Sequence, residues 1–113
     1  TLDNTVSTAG TMSSYTSSLD WEIGKRHRPG NTELNFSGNL DEFAIIPSAL
    51  SASDVTAIYN SGVPADISSY SPVAWYRMGD NDGDTGTTIT DQGSGGNDGT
   101  LTNGPIFSTS VPS

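Results

Sequence analysis

Four aspartates are spaced as a hard-cation ligand set would be. Asp80, Asp82, Asp84 and Asp91 stand at positions 1, 3, 5 and 12 of a twelve-residue count. Ca²⁺ takes roughly six to eight oxygen ligands from carboxylates and carbonyls on a flexible loop, and an acidic Asp/Gly segment offers both. An EF-hand is a poor description all the same. Its sixth position here is Thr85 where that loop turns on glycine, and no helical pattern flanks the segment. Two readings are left: a calcium site of another kind, or a solvated turn whose Asp and Gly residues serve the backbone angles.

The cations are the second group. Lys25-Arg26-His27-Arg28 holds three of the four Lys and Arg side chains. Arg26 and Arg28 could make a guanidinium fork for a sulfated or uronic-acid glycan. The plainer readings are charge balance against the aspartates, or contact with a neighbouring subunit. His27 is the single histidine and there is no cysteine, so no zinc site assembles around it. No catalytic triad is read there either. Trp21, Trp75 and the tyrosines are the candidate stacking platforms for a sugar ring. Both tryptophans fall in alternating patterns, however, and that favours places in a core.

Catalysis finds little support. A glucanase strand of the type Glu-x-Asp-x-x-Glu would set two carboxylates on one face, and that spacing is missing. Asp41 and Glu42 are adjacent and would point to opposite faces of a strand. Gly93-Ser94-Gly95 lacks the apolar strand and helix of a nucleophile elbow. The Gly-rich run 93–99 has no following Lys or helix, so it is no phosphate loop. We read the chain as non-enzymatic.

The positioning elements are mostly short strands. Leu19, Trp21 and Ile23 alternate with Asp20 and Glu22, which predicts a strand with a core tryptophan. Residues 34–46 predict its neighbour, interrupted at Gly38 and ended by Pro47. Ser51 and Asp54 make a helix start, Val55, Ile58 and Tyr59 share one face, and Gly62 is the stop. This predicts one short helix over 51–61, too short to stand alone and therefore docked on a sheet. Val73 to Met78 predicts a further strand, Thr87 to Thr90 a β-prone segment, and Thr100 to Phe107 a last strand broken at Asn103-Gly104-Pro105. Residues 1–20 read as one or two edge strands, with disorder as the rival reading.

Composition agrees with this pattern. The chain has 113 residues, 13 glycines and 15% charged residues, a profile of strands and turns. A net charge of −9 argues against nucleic acid, which needs a basic face. No apolar run reaches the length of a membrane span, and no signal peptide is visible. A first residue of Thr1 instead of Met suggests processing, or a piece of a longer polypeptide.

Two motifs resemble the laminin-G-like, concanavalin A-like jelly-roll superfamily. Ile23-Gly24, then Phe36-Ser-Gly-Asn-Leu-Asp-Glu-Phe43, then Ala49-Leu50-Ser51 and Ile58-Tyr59 look like the family's closing strands and short helix. Ala74-Trp-Tyr-Arg-Met78 followed by Gly86-Thr-Thr-Ile-Thr-Asp-Gln-Gly-Ser-Gly-Gly-Asn-Asp-Gly-Thr-Leu-Thr-Asn-Gly104 looks like its opening. The order is inverted, closing half first, and a complete domain of that family is longer. The resemblance implies an antiparallel β-sandwich with one short helix. Residues 1–66 would be a closing half, 67–72 a linker and 73–113 an opening half. It also implies loop calcium near Asp91, Asp98 and Asp41, although Asp41 would equally cap a corner or pair with Arg. The setting it suggests is the surface proteins of marine bacteria and the virions of their phages. The expectation is an adhesion or assembly module displayed outside a cell or on a virion, held by other protein subunits. The alternative is a calcium-dependent, lectin-like domain that binds a surface glycan through Arg26, Arg28 and Trp75.

Overall fold

The computed structural model describes residues 21–26, 34–79 and 84–109. They fall in two compact units, divided between Ser37 and Gly38.

In the first unit β1 (Lys25–Arg26) pairs antiparallel with β2 (Leu34–Asn35), Lys25 opposite Asn35 and Arg26 opposite Leu34. The Phe36 amide closes the ladder on the Gly24 carbonyl at 2.7 Å. The predicted strand through Trp21 does not extend into residues 21–23, and Trp21 is 86% exposed instead of lying in a core. Gly24, at φ 79, turns the chain before pairing begins, and residues 21–23 pair with no strand among the described residues.

In the second unit β3 (Phe43–Ile45) pairs antiparallel with β4 (Ala74–Tyr76), Ala44 opposite Trp75. On the other side of β4, Tyr76 bridges to Asp91 and the Gln92 amide bonds the Trp75 carbonyl at 2.8 Å. The chain entering Asp91 is β5 (Thr88–Ile89), which pairs antiparallel with β6 (Gly99–Thr100). Buried apolar side chains among the described residues are Ile67, Trp75 and Ile89, with Pro72 beside them in burial.

This corrects the expected jelly-roll sandwich. The described residues form three two-stranded antiparallel ladders and one helix, and each strand is only two or three residues long. A sandwich needs two sheets with facing apolar inner surfaces. Left-handed residues cut the strands here before such faces can build. Glu42 at φ 50 stops the run from Leu34 from continuing into β3, and Met78 at φ 55 with Gly79 at φ 108 ends β4. Gly79 also lets the Phe107 ring close in, since a Cβ there would meet Phe107 Cδ1 at 3.0 Å.

Helix α1 (Ala52–Tyr59) begins where the capping pattern places it. Ser51 accepts from the Asp54 amide at 3.2 Å, and the Asp54 carboxylate accepts from the Ser51 amide at 2.8 Å, a reciprocal box. Asn60, Ser61 and Gly62 then run at φ 42, 59 and 88 and stop it. The expected docking on a sheet is not seen. No residue of α1 is buried, and Val55 and Tyr59 are 56% and 67% exposed. Among the described residues no helix is long and apolar enough to cross a membrane.

Candidate functional site

The polar side chains of the second unit meet on the two sides of β4. On one side lies Asp91, 7% exposed. Its Oδ1 accepts from the Trp75 amide at 2.9 Å and the Gly93 amide at 2.8 Å. Its Oδ2 accepts from the Asn97 amide at 2.9 Å. Burial alone would raise this carboxyl, but the amides of Trp75, Asn97 and Gly93 together outweigh it and hold it below the ordinary carboxylate value. The loop is tied again from outside. The Ser94 and Gly95 amides bond the carbonyls of Pro72 and Val73, both at 2.9 Å. The Asp91 amide donates to Asp98 Oδ1 at 3.0 Å, and the Tyr76 hydroxyl donates to the Asn97 carbonyl at 2.7 Å. Burial, then the charges of Asp91 and Asp98, push the Tyr76 phenol up. Asp91 is therefore an internal anion around which residues 91–98 are wound.

On the other side Glu42 bridges two neighbours on β4 and just beyond it. Its Oε2 accepts from Trp75 Nε1 at 2.7 Å, and its Oε1 from Arg77 Nε at 2.9 Å. Arg77 stacks back over the indole, Cζ 5.3 Å from the ring centroid. Trp75 and Arg77 can do this because residues two apart on a strand share a face. Glu42 and Arg77 are each about one-fifth exposed, so the pair is screened less than a surface pair would be. Replacing Glu42 by alanine removes a charge-assisted acceptor from both donors and is expected to lower stability by about 2 kcal/mol. Indole emission should shift to the red. Glu42→Gln keeps an acceptor and should lose less in urea unfolding; equal losses would show that the two donors need the charge and not merely an acceptor oxygen.

The sequence-predicted site residues divide accordingly. Asp80, Asp82 and Arg28 lie outside the described residues, and of Arg26 only the β1 backbone is described. Asp84 caps the approach to Asp91, accepting from the Thr90 amide at 2.8 Å and the Thr90 hydroxyl at 2.6 Å. Asp98 and Asp91 come together, and Asp41 has one carboxylate oxygen buried next to Glu42 in the chain. The Asp91 carboxylate is largely taken up by the chain's own backbone. Three amide donors already occupy most of the roughly four lone-pair sites of its carboxylate. No three His, Asp or Glu residues among those described form a group that could hold a metal ion. Trp75 is 6% exposed beneath Arg77 and Glu42, which makes it a core indole and not a stacking platform.

Sequence reasoning missed the Glu42–Trp75–Arg77 group because it placed Glu42 inside a continuous strand. The usable signal was the Trp75-x-Arg77 spacing, a cation two residues from an indole, in a segment with no other base. The role of Asp91 was signalled by its place ahead of a glycine-rich run, where an Asp side chain commonly replaces a backbone acceptor.

No family model, curated protein or solved structure matches this chain.

Proposed function

We propose that the protein is a non-catalytic assembly module whose apolar surface is covered by other protein chains. One observation carries this reading. Among the described residues three apolar side chains are buried, while nine large ones, including Trp21, Phe36, Val55, Tyr59 and Ile106, stay exposed. Scattered exposed apolar residues are ordinary; here they outnumber the buried ones three to one among the described residues, and a partner chain is what would cover them. The described carboxylates support a non-catalytic role: Asp84, Asp91 and Asp98 hold backbone amides, and Glu42 holds Trp75 and Arg77. The setting we propose, outside a cell or on a virion, rests on the acidic, Ser/Thr-rich composition and the motif resemblance.

Light-scattering mass of the 113-residue chain, with and without a calcium chelator, tests the reading. A defined oligomer that survives chelation is the expected result. A monomer at every concentration would overturn it. If that monomer's tryptophan emission responded to an acidic oligosaccharide in a chelator-sensitive way, the lectin-like alternative would take its place.

A further inference from the structure

We propose that Asn103 is a self-modification site: in water the Gly104 backbone nitrogen attacks the Asn103 side chain, and the carboxamide becomes a carboxylate. Asn103-Gly104 is the one Asn-Gly pair of the chain. It lies between β6 and Phe107, whose ring packs on Gly79. Residues 102–106 are exposed, Ile106 at 85%. Among the described residues neither the Asn103 carboxamide nor the Gly104 amide has a hydrogen-bond partner. Space is open as well, since a Cβ at Gly104 would meet nothing within 4 Å. The chain bends here at φ 63 and 96, outside any ladder, so rotation toward the side chain breaks no strand pairing.

The step needs nothing but water. The bond from the Gly104 nitrogen to Asn103 Cγ forms and the Cγ–Nδ2 bond breaks. The proton lost by the Gly104 nitrogen is made up on Nδ2, which leaves as ammonia. Water then opens the five-membered imide: cleavage at Cγ gives aspartate, and cleavage at the main-chain carbonyl gives isoaspartate. Other positions with similar chemistry are held. Asp98-Gly99 has the same glycine, but Asp98 Oδ1 accepts from the Asp91 amide at 3.0 Å and Gly99 is paired with Ile89. Asn60 donates through Nδ2 to the Val63 carbonyl at 3.3 Å, and the residue after it is Ser61, which carries a side chain. The product adds a negative charge to the net −9 of the chain. Its isoaspartate form also inserts a backbone carbon between Phe107 and Leu101, whose amide is tied to the Thr87 carbonyl at 2.7 Å.

Incubating the full chain in mildly alkaline buffer, folded and in urea, and following it by peptide mass mapping tests this. Asn103 should convert before the other asparagines of the described residues, to a mixture of aspartate and isoaspartate. The folded chain should react within about tenfold of the rate in urea, a barrier difference of no more than ~1.4 kcal/mol. Gly104→Ala should slow the conversion about tenfold, since its Cβ crowds the attacking nitrogen. Asn103→Gln should remove it, because the glutamine ring closure is six-membered and slower. Both positions are exposed, so both variants keep the buried set intact. A folded rate more than about tenfold below that in urea overturns the proposal, because the fold would then be protecting the pair. Absence of conversion in either state overturns it as well. Conversion that Gly104→Ala leaves unchanged would mean direct hydrolysis and overturns the ring-closing step.

Discussion

Gly93→Ala is expected to lower the unfolding free energy by about 3 kcal/mol, at the upper end of what overpacking costs. A Cβ at this position would meet the Ala74 nitrogen, the Ala74 Cα and the Val73 carbonyl carbon, all at 2.7 Å. All three are backbone atoms, so no side chain can swing aside. Either β4 or the 91–97 loop must move. Movement of the loop strains the bonds from Gln92 to Trp75, Ser94 to Pro72 and Gly95 to Val73, and it shifts one of the three donors to Asp91. Gly62 offers an internal comparison. A Cβ there meets nothing within 4 Å, and the penalty would come only from its φ of 88, about 1 kcal/mol. Urea unfolding followed by tryptophan emission would measure both. A loss at Gly93 no larger than at Gly62 would show that the loop does not press on β4 as closely as described.

Gly93 also shows how much of this molecule its sequence discloses. The helix was legible almost to the residue, because Ser51, Asp54 and Gly62 are local signals with a local cause. The same holds for Phe43–Ile45 and Ala74–Tyr76 as strands, although the first was expected beside Leu19–Ile23 and pairs with the second instead, and for the break at Asn103-Gly104, where φ is 63 and 96. Strand length was not legible. Leu34 to Ile46 reads as one strand by alternation, yet Glu42 lies in the left-handed region that a Glu rarely adopts, and no propensity announces it. The sandwich was implied by the resemblance of two motifs, and the strands those motifs form are too short to build two facing layers.

Burial was only half legible, for a related reason. Trp21 and Trp75 sit in similar alternating patterns, but only Trp75 has a paired strand on one flank and the Asp91 segment on the other. Whether an apolar residue finds cover depends on partners distant in sequence, which a local pattern does not specify. The candidate site turns on the same distinction. Asp91 has the residue type and spacing of a metal ligand, and the chain's own amides take its oxygens.

That use of Asp91 leads to the second large effect, about 4 kcal/mol lost in Asp91→Ala. Three amides, those of Trp75, Gly93 and Asn97, would lose their acceptor beside a buried indole. Each buried donor left unsatisfied costs about 1–3 kcal/mol, and water entering the vacated space recovers part of the sum. A small domain has a total stability of about 5–15 kcal/mol, so the variant should lose between about a quarter and most of it. Asp91→Asn is the milder form, since it keeps one acceptor oxygen and loses the charge. It also isolates the pH dependence. The folded-state pKa of Asp91 is lowered, so its contribution is fully present above the unfolded value of about 3.9 and is lost as pH falls through the folded value. Asp54 and Asp66 are lowered too, by their bonds with Ser51 and Ser68, and they add acid sensitivity that Asp91→Asn leaves in place. The difference between wild type and Asp91→Asn should therefore be constant from neutral pH down to about pH 5 and shrink below about pH 4. Stability curves that stay parallel through that acid window would mean that the amides around Asp91 favour an oxygen acceptor and not its charge.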